Sequence, residues 1–432
     1  MKAVVLTLGC KVNQCESEYL LYQLKERGYE VSESLEPANL YIINTCAVTK
    51  EAEKKSRQAV AKINKINDSA KIIVTGCASQ NNPQAFITKN NVTLVYGARN
   101  KTDIINQLDK QGIIINDSDC FIEQNLKSLN LKTRAYLKIQ DGCDNFCSYC
   151  IVPHMRGKSR SKSIESVINE LNQINAKEVV LTGINLSAYN AGGKDLTQLI
   201  KALKYTDKRI RLGSLENNII NHEFLTALKT LQNFAPHFHL SLQSGSDSVL
   251  NRMNRHYTAA EFLQKVDLIR KYFDNPSIMS DIILCYPTET GDDFKQTLNL
   301  CQEARLSDIH VFVYSKRPKT KAEALKELSE DIKAERLKKA LKLKEKLYND
   351  FLESFKGKRQ TVLIEERVSF KAASGGVESQ RQYYAGYTEN YIRVYLNSCQ
   401  PSVISCQNEF AGVILKERFK DGFLAVSLPC AR

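Results

Sequence analysis

Short apolar runs alternate with polar stretches of helical spacing along the N-terminal part of the chain. The predicted strands are Val4–Leu8, Leu40–Asn44, Ile72–Val74 and Leu94–Tyr96. Between these strands, Ser17–Glu26 and Glu51–Asn64 are predicted to be helices. Because such alternation is typical of a parallel sheet with crossover helices, residues 1–118 are predicted to form an open parallel α/β sheet domain.

The alternation resumes after a polar linker, Asn116–Lys132, and the strand–helix unit then repeats about six times. The predicted strands are Arg134–Ile139, Glu178–Leu181, Ile210–Leu212, His237–Leu242, Ser280–Leu284 and Asp308–Tyr314. The predicted helices are Ile164–Asn175, Leu196–Lys204, His222–Leu231, Ala259–Tyr272 and Asp292–Arg305, followed by a charged helical region at Lys321–Phe355. Residues 130–355 are therefore predicted to form a partial (β/α)6 barrel of the TIM type.

The last part of the chain, residues 356–432, has the period-two alternation of short strands. The predicted strands are Gln360–Glu365, Tyr391–Tyr395, Glu409–Leu415 and Phe423–Leu428, with turns marked by Gly386, Asn390 and Gly422. This pattern predicts a small β-barrel, a shape that is common among nucleic-acid-binding domains.

Composition and charge narrow the class of protein. The 432 residues are 43% hydrophobic and 25% charged, which is ordinary for a globular protein. No run reaches the roughly 20 apolar residues of a membrane span, and the apolar N-terminus lacks a cleavage site, so a cytoplasmic location is expected. The net charge of +13 suits a polyanionic partner such as nucleic acid, although it also serves solubility alone.

Three of the 13 cysteines form the run Cys143, Cys147 and Cys150, with the spacing C-x3-C-x2-C. Three close thiolates can hold three irons of a cubane iron–sulfur cluster and leave the fourth iron open, which favours catalysis over a structural role. The alternative is a zinc site that His154 completes as the fourth ligand. The position of the run after the first barrel strand, where barrel active sites lie, favours the iron–sulfur interpretation.

Three further cysteines, Cys10, Cys46 and Cys77, each follow the C-terminal end of a predicted parallel strand. That edge of an open α/β sheet is where ligands bind, so the three thiols are expected to meet there and to hold a second cluster. Gly9 and Gly76 would let the backbone come close. The alternative is that all three are merely buried, as free cysteines often are.

These residues carry a family resemblance. The cysteine run after the first strand of a partial barrel resembles the radical S-adenosylmethionine (SAM) superfamily. Leu8–Gln14, Asn44–Thr49 and Thr75–Ala78 resemble the N-terminal domain of its methylthiotransferases, and Gln140–Ser161 is similar too. Gly386–Ile392 resembles the TRAM RNA-binding domain of the same family. The resemblance covers nearly the whole chain.

The resemblance implies two [4Fe-4S] clusters and SAM as cofactors. Cys143, Cys147 and Cys150 would hold the catalytic cluster, which cleaves SAM to a 5′-deoxyadenosyl radical, while Cys10 and its two partners would hold an auxiliary cluster that presents sulfur. The expected SAM-binding residues lie at the ends of barrel strands and are Thr182, Asn185, Ser214, Glu216 and Gln243. At Cys285–Thr288, where the family has Gly-Phe-Pro-Gly, this chain departs from the pattern, and Thr288 lacks the φ > 0 freedom of glycine.

Gly9–Asn13 and Arg156–Ser161 resemble the branch that acts on N6-threonylcarbamoyladenosine at position 37 of tRNA. The implied reaction is methylthiolation of its C2; isopentenyladenosine tRNA or a ribosomal protein is the alternative substrate. A non-catalytic metal-binding RNA-binding protein is the alternative class. The implied partners are the tRNA anticodon stem-loop and an electron donor such as flavodoxin or ferredoxin, with a monomeric enzyme and an unidentified sulfur source. The expected RNA-binding residues are Lys316, Lys319, Lys358, Arg359 and Arg393.

Overall fold

The computed structural model describes residues 1–115, 133–372, 379–398 and 408–428. The predicted linker and the boundary between the first two predicted domains lie outside the described residues. So do Cys120, Cys399, Cys406 and Cys430. No helix among the described residues is long and apolar enough to cross a membrane.

The N-terminal part is a parallel sheet with helices on both faces, as predicted. The strand order is β2-β1-β3-β4-β5-β6, with β1 Lys2–Thr7, β2 Glu30–Ser32, β3 Leu40–Thr45, β4 Lys71–Gly76, β5 Val92–Tyr96 and β6 Gly112–Ile114. The helices are α1 Lys11–Glu26, α2 Lys50–Ile66, α3 Cys77–Asn81 and α4 Gln84–Ile87, with a 3-10 helix at Lys101–Gln107. The short edge strands β2 and β6 were not predicted, because three residues are too few to show a period.

The central part has six parallel strand positions, as the sequence predicts. The strands are β7 Arg134–Lys138, β10 Glu178–Thr182, β13 Arg209–Leu212 continuing past Gly213 into β14 Ser214–Leu215, β15 His237–Gln243, β16 Ser277–Leu284 and β17 Asp308–Val313. The short strands are β8 Gln140–Asp141, β9 Arg160–Ser161, β11 Asn190–Ala191 and β12 Lys194–Asp195. The helices are α5 Val152–Arg156, α6 Ile164–Gln173, α7 Leu196–Ala202, α8 His222–Lys229, α9 Asp247–Arg252, α10 Ala259–Tyr272, α11 Gly291–Glu303 and α12 Glu330–Glu353.

The N-terminal sheet covers the open side of this partial barrel. On one edge, the Cys15 thiol of α1 donates a hydrogen bond to the Tyr136 carbonyl of β7, over 3.3 Å. On the other edge, Arg317 follows β17 and pairs with Glu53 of α2 at 2.5 Å. The carboxyl ends of the two sets of strands are thereby held together.

The C-terminal part is a closed five-stranded barrel with the order β18-β19-β20-β22-β21. Its strands are β18 Arg359–Ala372, β19 Ser379–Thr388, β20 Arg393–Asn397, β21 Phe410–Phe419 and β22 Gly422–Ser427. The turn predicted at Gly386 is wrong, since Gly386 lies within β19 opposite Ile364. A Cβ there would come within 1.9 Å of the Leu363 carbonyl oxygen, so the glycine serves close strand contact and not a turn.

Candidate active site

The cysteine run lies in the loop between β8 and α5, beyond the carboxyl end of the first barrel strand. Gly142 has φ +72°, and a Cβ there would lie 1.9 Å from the Lys158 carbonyl oxygen. The loop folds back so that the Cys143 amide donates to the Gly157 carbonyl over 3.1 Å. Cys147 is buried, whereas Cys143 and Cys150 are half-buried.

Polar side chains from segments that are distant in sequence reach these thiols: Asn185 follows β10, and Arg255 lies between α9 and α10. The Arg255 guanidinium donates to the Cys147 sulfur over 3.3 Å and pairs with Glu216 at 2.9 Å. The Asn185 amide donates to the Cys143 sulfur over 3.9 Å. Burial raises the pKa of the Cys150 thiol to about 12. Binding of a metal cluster would displace that proton, because only thiolates ligate iron.

Two buried polar atoms at this loop have no partner in the part of the chain that the structure describes. They are the Asn185 side-chain oxygen and one terminal nitrogen of Arg255. Buried polar groups are nearly always hydrogen-bonded, so an unpaired acceptor and an unpaired donor beside the cysteines suit a polar ligand. This arrangement fits a cluster together with SAM, whose amino and carboxylate groups need such partners.

The five predicted SAM-binding residues lie at strand ends as expected, but their surroundings differ. Asn185 contacts Cys143 as described, and Glu216 accepts a hydrogen bond from Asn145 over 2.6 Å. Ser214 instead contacts the His239 ring nitrogen at 2.9 Å. Thr182 and Gln243 are buried, and Gln243 adopts φ +64° at an irregularity in β15. Sequence reasoning missed Arg255, because nothing in its local pattern indicates a contact across 108 residues.

The atypical loop after β16 supports the cysteine run. Cys285 and Thr288 both adopt positive φ, +59° and +73°, where the family pattern has glycine. The Tyr286 hydroxyl donates to the Arg252 carbonyl over 3.0 Å and lies 2.9 Å from the Ser148 hydroxyl. The tyrosine therefore ties this loop to the middle of the cysteine run, a bond that the family's phenylalanine cannot make.

Cys10, Cys46 and Cys77 lie together at the carboxyl edge of the N-terminal sheet. Cys10 precedes α1, Cys46 follows β3, and Cys77 begins α3. Beyond the effect of burial, a negative charge on Cys77 raises the pKa of both Cys10 and Cys46, and one on Cys10 raises the pKa of Cys46, as expected for thiols that lie close together. Burial raises the pKa of Cys46 to about 11. The Cys10 side chain is accessible to solvent, whereas those of Cys46 and Cys77 are buried.

Glycines let the cysteine loops approach each other. Gly9 has φ +103°, and a Cβ there would lie 2.8 Å from the Cys46 sulfur. Gly76 has φ +107°, and its Cβ would lie 2.4 Å from the Thr45 carbonyl oxygen. Three thiols on closely spaced backbone form a cradle that fits an iron–sulfur cluster.

Gly9→Ala is expected to lower iron binding at this cradle, because the added methyl group would lie only 2.8 Å from the Cys46 sulfur and would displace that side chain. Iron per chain after anaerobic reconstitution should fall from about eight towards about four. Gly28→Ala is the matched control, since Gly28 also has positive φ, +82°, but a Cβ there would meet no atom within 4 Å. Equal iron contents in the two variants would contradict the assignment of a cluster to Cys10, Cys46 and Cys77.

A buried charge network joins the two cysteine sites. Arg156, 1% exposed, follows the cysteine run and bonds Glu16 of α1 at 2.8 Å and Asp141 at 3.0 Å. Glu16 also pairs with Lys101 at 2.6 Å and Lys138 at 2.9 Å. These contacts join the helix after Cys10 to the helix after Cys150.

Arg156 also influences the N-terminal thiols. Burial raises the pKa of Cys10 and Cys46, whereas the Arg156 guanidinium lowers the pKa of both. Through its other nitrogen, Arg156 donates to the Asn13 oxygen over 2.6 Å. The Asn13 amide donates in turn to the Leu8 and Thr45 carbonyls, just before the first two cysteine positions. The buried Arg156 guanidinium thus helps to hold the backbone before Cys10 and Cys46, and it favours the thiolate form of both cysteines.

A cavity of about 280 Å³ lies between the two cysteine sites. Val48 and Thr49, just after Cys46, line one side, and Cys150 lines another. The remaining lining residues are Tyr149, Ile151 and Val152 beside Cys150, and Gln243, Asp281, Ile283 and Phe312–Ser315 in the barrel strands and just after β17. Cys150 of the central triplet and the two residues Val48 and Thr49, which follow Cys46 closely, therefore border one cavity that is large enough for a nucleobase.

His154 is exposed and packs edge-on against the Phe146 ring, with centroids 6.1 Å apart. Among the described residues, it belongs to no group of three potential ligands within 4.8 Å of one another. This placement gives no support to the zinc interpretation.

The predicted RNA-binding cations occupy two regions. Lys316 is half-buried and Lys319 exposed in the loop after β17, while Lys358 and Arg359 lie at the start of the C-terminal barrel. Arg393 is buried, pairs with Glu366 at 2.5 Å and stacks over Tyr387. The pairing of Arg393 favours a structural role.

Comparisons with known proteins agree with this geometry. Residues 2–97 match the family described as Uncharacterized protein family UPF0004, and residues 137–301 match the Radical SAM superfamily. The two matches contain the N-terminal and the central cysteine triplets, respectively. In fold, the chain is similar to a radical S-adenosylmethionine methyltransferase, TsrM, from Kitasatospora setae, with a TM-score of 0.55 and 13% identity over 75% of this chain and 77% of that chain.

Curated relatives cover nearly the whole chain. Threonylcarbamoyladenosine tRNA methylthiotransferase MtaB from Thermotoga maritima is 38% identical over 91% of this chain and 91% of its own. The protein of that name from Bacillus subtilis is 33% identical over 92% of this chain and 90% of its own. A tRNA-2-methylthio-N(6)-dimethylallyladenosine synthase from Thermodesulfovibrio yellowstonii is 32% identical over 84% of this chain and 87% of its own. The family resemblance is confirmed: the chain belongs to the radical SAM methylthiotransferases of the MtaB type.

Proposed function

We propose that this enzyme methylthiolates C2 of N6-threonylcarbamoyladenosine at position 37 of tRNA. The observation that carries the proposal is the cavity bordered by Val48 and Thr49, after Cys46, and by Cys150. A base held there would have C2 within reach of both cysteine sites. The substrate comes from the names of the MtaB relatives, which reach 38% identity to this chain, whereas the dimethylallyladenosine synthases reach 34%.

A [4Fe-4S] cluster and SAM follow from membership of the radical SAM superfamily. We assign that cluster to Cys143, Cys147 and Cys150, and a second [4Fe-4S] cluster to Cys10, Cys46 and Cys77. When bound, the cofactors supply the one-electron chemistry that an unactivated adenine C–H bond requires, together with the sulfur and the methyl group.

The protein's own part is to bind, to orient and to exclude water. Asn185 and Arg255 are placed to bind SAM through their unpaired atoms, and Glu216 holds Arg255 in position. The apolar wall of the cavity, which includes Ile283 and Phe312, suits the flat face of a purine. Holding the reacting groups in one small space supplies a large part of the rate by proximity.

The tRNA anticodon stem-loop would reach this cavity with its target base turned out of the stack. Lys316 and Lys319 follow β17, next to the cavity wall, and are proposed to contact phosphates there. Lys358 and Arg359 are proposed to do so from the C-terminal barrel, as its TRAM resemblance implies. A cytoplasmic monomer that receives electrons from a flavodoxin or ferredoxin completes the proposal.

Mass spectrometry of tRNA nucleosides tests the substrate. The chain should be expressed in a strain whose tRNA carries both threonylcarbamoyladenosine and isopentenyladenosine but neither methylthio product. The 2-methylthio derivative of threonylcarbamoyladenosine should appear and the other should not. Appearance of only the isopentenyl product would assign the chain to the other tRNA branch. Neither product, alongside full iron–sulfur loading, would favour the ribosomal-protein alternative.

A further inference from the structure

Lys11 differs from the buried lysines near it in lacking a counter-charge. It is half-buried, begins α1 and follows Cys10 directly. Lys101, Lys138 and Lys162 each pair with a glutamate. The Lys11 ammonium forms no hydrogen bond or ion pair within the described residues. Removing a charged group from water is unfavourable unless an opposite charge compensates it, so this cation is suited to an anionic ligand.

The carboxylates whose charge acts on Lys11 are Asp281 and Glu178, and both have other partners. Glu178 is bound by three guanidinium groups, those of Arg134, Arg209 and Arg211, at distances from 2.5 to 2.8 Å. On Asp281, one oxygen lies 3.0 Å from a ring nitrogen of His310 and 2.9 Å from one of His239. Neither carboxylate is in direct contact with Lys11, which leaves its ammonium free for a ligand.

Lys11 is not itself a lining residue of the cavity, but the carboxylate of one lining residue, Asp281, is among the charges that act on it, together with the guanidinium groups of Arg211 and Arg134. Asp281 lines the cavity together with Gln243, and Lys11 directly follows Cys10, which lies near Cys46 and hence near the lining residues Val48 and Thr49. A ligand in this cavity would therefore meet the Asp281 carboxylate, on which the charge of Lys11 acts, and an apolar surface that includes Ile283 and Phe312.

We propose that Lys11 determines substrate specificity by binding the carboxylate of the threonylcarbamoyl group. The inference rests on the proposed function. A threonylcarbamoyl group carries a carboxylate for the ammonium, and a hydroxyl and N–H groups that can donate to Asp281. A dimethylallyl group carries none of these and would leave Lys11 desolvated and unpaired. Sites built to bind a polar group strongly disfavour analogues that lack it.

Single-turnover assays on an anticodon stem-loop test the inference. The enzyme is reconstituted anaerobically, and the loop carries threonylcarbamoyladenosine either as the free carboxylate or as its methyl ester. Lys11→Met should lower kcat/KM on the carboxylate by about 10- to 100-fold, as expected for the loss of a charge-assisted contact. Lys11→Arg should recover most of that loss. The surface variant Lys62→Met, which removes the same charge from an exposed face of α2, is the matched control.

Comparing the free carboxylate with its methyl ester isolates the contact between Lys11 and that carboxylate. Esterification of the substrate should lower kcat/KM of the wild-type enzyme by a similar 10- to 100-fold. It should not lower kcat/KM of Lys11→Met any further. Iron content and the electron paramagnetic resonance signal of both clusters must match wild type, which separates lost recognition from a disturbed Cys10. If Lys11→Met still prefers the carboxylate by the wild-type factor, the inference is wrong although the proposed function stands. If the wild-type enzyme modifies neither loop, the proposed function itself fails.

Discussion

Cys46→Ala is expected to stop methylthiolation while SAM is still cleaved. Removing one ligand of the N-terminal cradle should abolish the auxiliary cluster but leave Cys143, Cys147 and Cys150 intact. Formation of the methylthio product should fall by at least about a thousandfold, and 5′-deoxyadenosine should still form. Liquid chromatography with mass spectrometry measures both products in one reaction.

Two comparison variants make this result specific. Cys15→Ala removes a buried thiol of the same domain, whose only hydrogen bond among the described residues goes to the Tyr136 carbonyl, and should retain methylthiolation. Cys147→Ala should lose both products, because it removes a ligand of the catalytic site. Loss of SAM cleavage in Cys46→Ala equal to that in Cys147→Ala would show that the two cysteine triplets do not form separate sites.

Glu16→Gln is expected to be the most destabilising single substitution at the contact between the N-terminal sheet and the barrel. It would leave Arg156, Lys101 and Lys138 buried without the carboxylate that all three contact. Breaking a buried ion pair by removing one partner typically costs about 3–5 kcal/mol of the free energy of unfolding. Urea denaturation followed by circular dichroism measures the difference.

The pH dependence of the stability difference between wild type and Glu16→Gln provides a control. Burial alone would raise the pKa of Glu16, but Arg156, Lys101 and Lys138 hold it well below its ordinary value. The contribution of the Glu16 carboxylate to folding stability is therefore complete above the ordinary glutamate pKa of about 4.3. It is lost as the pH falls through the lowered pKa that Glu16 has in the folded protein. The gap between wild type and Glu16→Gln should be constant from pH 7 to about 5 and shrink only in stronger acid. Glu30→Gln, at an exposed pair with Lys2, should change stability by less than about 1 kcal/mol. An equal effect of the two substitutions would contradict the role of the network.

Local pattern was sufficient for much of this architecture. Strands such as β3 and β4 are apolar runs buried on both faces, so the sequence alone predicts the parallel sheet and the edge at which Cys46 and Cys77 lie. The spacing of the cysteine run and its place after β7 likewise locate the central site. In the C-terminal barrel, β19 was not predicted, because Gln380 and Gln382 interrupt any simple apolar alternation in it.

The parts that could not be predicted depend on contacts between distant segments. Arg156 and Glu16 are 140 residues apart, and neither has a local pattern that distinguishes it from a solvent-exposed charge. Arg255 likewise reaches Cys147 only through the folding of the barrel. For Arg393, a basic residue in a predicted RNA-binding barrel was expected to face RNA, yet its pairing with Glu366 buries it. Charge in a sequence indicates a partner but does not say whether that partner is internal.

The central claim is that one chain holds two cysteine-bound clusters around a cavity in which threonylcarbamoyladenosine of tRNA is methylthiolated. The most direct measurement is an anaerobic reaction of the fully reconstituted enzyme with SAM, a reductant and an anticodon stem-loop that carries threonylcarbamoyladenosine, analysed by nucleoside mass spectrometry. The account predicts about eight irons per chain and a methylthio group on C2 of that nucleoside, formed together with 5′-deoxyadenosine. One bound zinc per chain with no cleavage of SAM, or full cluster loading with the nucleoside unchanged, would contradict it.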